Sequence, residues 1–125
     1  MSPTRLRVLV VDDHPGLVTA VSRLLAVKHN LVGSVADGSE VLDAVQRLQP
    51  DVVVLDLNLP NVDGLTLCRQ ITQGSPEMRV VVFTAADDPD VRRRAFEAGA
   101  SAFVHKLGPG EDLLLAVQGA DDTRE

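Results

Sequence analysis

Two hydrophobic rhythms alternate along the chain. Short runs rich in β-branched residues occur at Leu6–Val11, Leu31–Ala36, Asp51–Asp56, Met78–Thr84 and Ala102–Lys106. Several are apolar on both alternations, as strands covered on both faces of a parallel sheet must be. Between them the period changes to 3.6. Leu17, Val18, Val21, Leu24 and Leu25 form a helical stripe within Pro15–Lys28, and Val41, Leu42, Val45 and Leu48 do so within Ser39–Gln49, stopped by Pro50. Leu65, Leu67, Cys68 and Ile71 give Gly64–Thr72 a buried side. Asp88-Pro89 reads as a cap and first turn, opening a helix with Val91, Ala95, Phe96 and Ala98 that Gly99 closes. Leu113, Leu114 and Val117 mark a last helix over Glu111–Gln118.

Five strand–helix repeats predict an α/β fold: a doubly wound, five-stranded parallel sheet with helices on both faces and right-handed crossovers. Such sheets bind ligands beyond the carboxyl ends of their strands. The polar residues at those ends are therefore the candidates. Strand one runs into Asp12 and Asp13, strand three into Asp56, strand four into Thr84 and strand five into Lys106.

Carboxylates in one crevice repel. Two unit charges about 4 Å apart do so by ~4 kcal/mol at an effective dielectric of 20. Three such groups call for a cation, and oxygen ligands suit a hard one such as Mg²⁺. Lys106 supplies a point charge for a phosphoryl oxygen, and Thr84 a donor for another. A carboxylate can itself be a nucleophile and become an aspartyl phosphate. Singly, each residue also reads as a cap, a turn or a solvated charge. It is their joint register that carries the argument.

Size and composition narrow the classes. The 125 residues fit one domain over 1–125, long enough for a real core. A net charge of −6 and the absence of Trp and Tyr argue against nucleic-acid binding by this chain. The single Cys68 excludes an intrachain disulfide, and no apolar run approaches a membrane span. A cytoplasmic protein is expected. There is no G-x-G-x-x-G and no P-loop, so nucleotide-binding readings fail.

Val8-Leu9-Val10-Val11-Asp12-Asp13, the run Asp56-Leu57-Asn58-Leu59-Pro60-Asn61-Val62-Asp63-Gly64, Phe83-Thr84-Ala85 and Lys106 resemble a response-regulator receiver domain of two-component systems. The likeness covers about Leu6 to Val117. Asp12-Asp13-His14-Pro15 is similar to the NarL/FixJ-like subfamily, whose full-length members usually carry a helix-turn-helix output domain. The resemblance implies the flavodoxin-like strand order 2-1-3-4-5 and Asp56 as phosphoacceptor. It implies Mg²⁺ held by Asp13, Asp56 and the backbone carbonyl of Asn58, with Asp12 helping through water. Thr84 and Lys106 would hold phosphoryl oxygens, small Ala85 would leave room for them, and Phe103 would be the switch aromatic. Implied partners are a sensor histidine kinase or phosphotransfer protein, and a second copy in a phosphorylation-dependent homodimer. DNA would be reached only through an output domain in a longer protein. Where this family often has proline after the lysine, this chain has Leu107.

Two other readings compete. A Mg²⁺-dependent aspartate-nucleophile phosphatase of the haloacid-dehalogenase type has Asp-x-Asp-x-Thr, but here the second position is Asn58, which cannot act as acid or base. A protein-binding pseudo-receiver would have lost an acidic residue or the lysine, and none is missing. His14 beside the acidic pair is expected to serve the start of the first helix, since imidazole is a poor Mg²⁺ ligand. Arg92, Arg93 and Arg94 read as a solvated helix face.

Overall fold

The computed structural model describes residues 5–86 and 88–119. Strands β1 (Arg7–Val11), β2 (Asn30–Val35), β3 (Val52–Leu55), β4 (Arg79–Thr84) and β5 (Ala102–His105) alternate with helices α1 (Pro15–Ala26), α2 (Val41–Leu48), α3 (Gly64–Gly74), α4 (Pro89–Glu97) and α5 (Gly110–Gln118). All strand pairs are parallel, in the order β2-β1-β3-β4-β5. The doubly wound expectation and its strand order are both met.

Strand alternation divides the core into two layers. Leu9, Val11, Val53, Leu55, Val80 and Val82 face α2, α3 and α4, where Val45, Cys68, Ile71 and Ala95 are buried with them. Val8, Val10, Val52, Val54, Val81 and Phe83 face α1 and α5, meeting Val21, Leu25, Leu113 and Val117. Because both faces are covered, β3 is buried at every position. Edge strand β2, with Gly33, is only partly buried and slips register against β1 between Val8 and Leu9.

The helix ends shift for local reasons. The predicted helix from Ser39 begins instead as a 3₁₀ turn at Gly38–Glu40, capped by Asp37, which accepts from the Ser39 amide at 2.9 Å. Its end comes at Gln49, in the left-handed region at φ 50°, one residue before Pro50. Asp63 caps α3 and Asp88 caps α4 through their side chains. Gly99 follows α4 at φ +104°, and a Cβ there would strike Thr72, whose hydroxyl donates to the Ala98 carbonyl at 2.9 Å. Two expectations fail. Leu42, placed on the helical stripe by periodicity, is 39% exposed, since Val41, Ala44 and Val45 take the buried side of α2. Phe96, placed on the buried stripe of α4 by periodicity, is 41% exposed, because Ala95 and Ala98 occupy the sheet-facing side.

Candidate functional site

The ladder delivers the acidic residues by extending one residue past each strand. The Asp12 amide donates to the Val35 carbonyl at 3.0 Å, and the Asp56 amide to the Val11 carbonyl at 2.9 Å. β1 and β3 are neighbours in register, Val11 opposite Leu55, so Asp12 and Asp56 come out side by side. Strand order reverses there, which leaves a crevice. On β4 and β5 the Lys106 amide donates to the Thr84 carbonyl at 2.9 Å, bringing those two residues to the same edge.

Asp12, Asp56 and Thr84 are buried, at 4%, 2% and 0% exposure. Lys106 Nζ lies 2.7 Å from Asp12 Oδ2 and 3.1 Å from Asp56 Oδ2. One ammonium thus bridges two buried carboxylates. Burial opposes the charge on Asp12, but hydrogen bonds from Lys106 and His14 outweigh it and hold the carboxyl below its ordinary value. For Lys106, burial likewise works against the charge, and the two carboxylates overcome it and raise its pKa.

Asp13 stands at the rim. Single ligand atoms of Asp12, Asp13, His14 and Asp56 lie within 4.8 Å of one another. The donor set fits a hard divalent cation: three carboxylates converge, and Lys106 alone does not neutralise them. The loop after Asp56 turns back on it, the Asn58 amide donating to Asp56 Oδ1 at 3.1 Å. Gly64, at the start of α3, lies so close to Leu57 that a Cβ would collide with backbone, which fixes the other end of this loop.

A family model described as the response regulator receiver domain matches residues 8–118. The chain belongs to this family. A receiver accepts a phosphoryl group on an aspartate and acts within a two-component system. Response regulator GacA of Pseudomonas aeruginosa is 33% identical over 115 residues, which cover 90% of this chain and 54% of that protein. The chain thus spans about half the length of the curated relatives it matches. Among solved structures, the signal receiver domain of the response regulator NarL from Mycobacterium tuberculosis is 30% identical with a TM-score of 0.87, covering 96% of this chain and 98% of that one. A LuxR-family regulator from an Aurantimonas species is 31% identical with a TM-score of 0.89, covering 96% of this chain and 87% of the other. No helix among the described residues is long and apolar enough to cross a membrane.

Against the sequence expectations, the receiver brings Asp12, Asp13, Asp56 and Lys106 together, with Thr84 joined to Lys106 through the ladder. Ala85 is exposed on the loop after β4. Phe103 is half-buried on β5, three residues before Lys106. It lines a groove of about 670 Å³ between α4, β5 and α5, with Arg92, His105, Asp112 and Leu115. No described peptide bond is cis, Lys106–Leu107 included, and Leu107 is 84% exposed.

Two features escaped the sequence reading. His14 does sit at the start of α1, but its ring makes no capping bond. Nδ1 instead lies 2.8 Å from Asp12 Oδ1 and 3.2 Å from Asp13 Oδ1, and Asp12 first, then Asp13, raises its pKa. Its place directly after two aspartates was the available signal. Arg92 was the second: the face of Arg92, Arg93 and Arg94 is exposed as expected, but the Arg92 guanidinium also lies over two aromatic rings. Cys68 is as expected a core residue, its thiol pushed up to about 11 by burial.

Proposed function

We propose that Asp56 is the phosphoacceptor of a receiver that spans this chain as one domain. The observation that carries the assignment is the half-buried ammonium of Lys106 bridging the buried carboxylates of Asp56 and Asp12. A phosphohistidine donor, on a sensor histidine kinase or phosphotransfer protein, brings phosphorus to an Asp56 oxygen. The new O–P bond forms as the P–N bond breaks, and the electron pair leaves with the imidazole, which takes up a proton from water. Lys106 and Thr84 hold phosphoryl oxygens, and Ala85 leaves them space. Asp13, Asp56 and the Asn58 carbonyl would hold Mg²⁺, with Asp12 acting through water. When bound, the ion supplies charge neutralisation between carboxylates and phosphoryl oxygens. The protein's part is positioning and electrostatics. Water later removes the group, and the chain turns over no small phosphate ester.

In this reading Phe103 responds to Thr84 moving toward the phosphoryl group, and the α4–β5–α5 face changes. That face would serve a phosphorylation-dependent homodimer or an output domain in a longer, cytoplasmic protein. Any DNA would be bound there and not by this acidic chain. The test is intact-mass measurement after incubation with acetyl phosphate and Mg²⁺. One phosphoryl group is expected on the wild type and none on Asp56→Asn. Full labelling of that variant would sink the assignment.

A further inference from the structure

The three consecutive arginines of α4 behave differently. Arg93 is paired with Asp90 and, at 2.9 Å, with Glu97. Arg92 makes no ion pair among the described residues. Its guanidinium carbon stands 5.3 Å from the Phe96 ring centroid and 5.7 Å from that of Phe103. Both lie inside the ~6 Å reach of a cation–π contact. Phe96 lies four residues on, so the two share one helix face. Core packing does not account for Phe96, which is 41% exposed. Phe103 comes from another element and lines the groove that Arg92 also lines. One guanidinium therefore joins a ring of its own helix to the ring three residues before Lys106.

We propose that Arg92 is a positioning residue for the switch, holding Phe103 in its groove-facing position with Phe96 as the support that keeps the guanidinium over it. The proposal rests on the reading of Asp56 and Phe103 given above. In that reading, phosphorylation turns the Phe103 ring inward, away from the groove where Arg92 meets it. A ring that turns inward must leave the guanidinium, so the contact weights the equilibrium toward the unphosphorylated state. A ligand that favours the other state binds more weakly by the factor the contact contributes. For a partly exposed cation–π pair that factor is roughly two- to five-fold. Phe96 acts at one remove, so its loss has the same sign and a smaller size.

The chain has only three phenylalanines, Phe83, Phe96 and Phe103, so 4-fluorophenylalanine labelling gives three ¹⁹F resonances that single Phe→Leu variants assign. Beryllofluoride with Mg²⁺ serves as the phosphoryl mimic. In Arg92→Gln without the mimic, the Phe103 resonance should move toward its mimic-bound position. The mimic should also bind roughly two- to five-fold more tightly than to wild type. Arg92→Lys should restore most of the wild-type behaviour. Gln and Lys have similar helix propensity, so a merely structural role for the side chain would not separate them. An unmoved Phe103 resonance with unchanged affinity in Arg92→Gln overturns the proposal, as does Arg92→Lys behaving like Arg92→Gln. If wild type does not bind the mimic, the Asp56 reading fails. The ligand-free Phe103 resonance of Arg92→Gln still decides the contact, and its failure to move overturns that too.

Discussion

At the amino ends of the strands, three arginines close helices; at the carboxyl ends, three aspartates converge and two of them share one lysine. Arg5 donates to the Ala26 and His29 carbonyls where α1 ends, Arg7 to Leu48 and Gln49 where α2 ends, and Arg79 to Ala116 and Val117 in the last turn of α5. Each cation satisfies orphan carbonyls and meets the negative end of a helix dipole. The Arg7 amide also donates to Asp51 Oδ2 at 2.9 Å. At the opposite edge, Asp12 and Asp56 face Lys106, while Asp12 and Asp13 face an exposed His14. At one edge each cation is held by the chain's own carbonyls; at the other, negative charge is left in excess. The carbonyl-bound edge serves stability. The excess marks where a cation and a phosphoryl group belong.

The largest contrast is in stability. Arg79→Ala removes two charged hydrogen bonds to α5 and should cost about 2–3 kcal/mol. At this chain length that lowers Tm by roughly 6–15 °C in a thermal melt. Acetyl-phosphate labelling of the folded variant should be unchanged. A loss of labelling at temperatures where the variant is folded would mean the two edges are not independent.

The carboxyl edge should respond the other way. Mg²⁺ at ten to a hundred times Kd should stabilise wild type by ~1.4–2.7 kcal/mol, read as a rise in Tm. Asp13→Asn should lose most of that response. Without Mg²⁺ the same variant should be more stable than wild type by about 0.5–1 kcal/mol, because it relieves like-charge repulsion. A metal-free variant less stable than wild type would show that Asp13 is structural and the excess charge is not.

The two edges also differ in how far the sequence announces them. Asp12, Asp56, Thr84 and Lys106 each stand at the end of a strand-like run, so they could be placed from local pattern alone. The arginine closures join residues 21–42 positions apart, as Arg5 with Ala26 and Arg7 with Gln49. No local periodicity encodes such a pairing. Phe96 misled for a related reason: a 3.6-residue pattern places it near the apolar side of α4, but two alanines already fill the space against the sheet. Edge strand β2 was faint because Gly33 and its partial exposure weaken the run that buried β3 displays fully.

The smallest effect is in pH dependence, and it too should separate the edges. The Asp12 carboxyl is held below its ordinary 3.8 in the folded state, with burial opposing and Lys106 and His14 prevailing. Its contribution is therefore present above about pH 4 and lost as pH falls through the lowered folded value. Lys106 is raised above 10.5, with burial again opposing and its two carboxylates prevailing. Its contribution is present below that value and lost as pH rises through the higher folded one. Urea midpoints measured from pH 3 to 11 should show both limbs in wild type. Asp12→Asn should flatten the acid limb, while Arg79→Ala should shift the whole curve down without changing its shape. An unchanged acid limb in Asp12→Asn would place the titrating group elsewhere and remove the carboxyl edge from the account of acid stability.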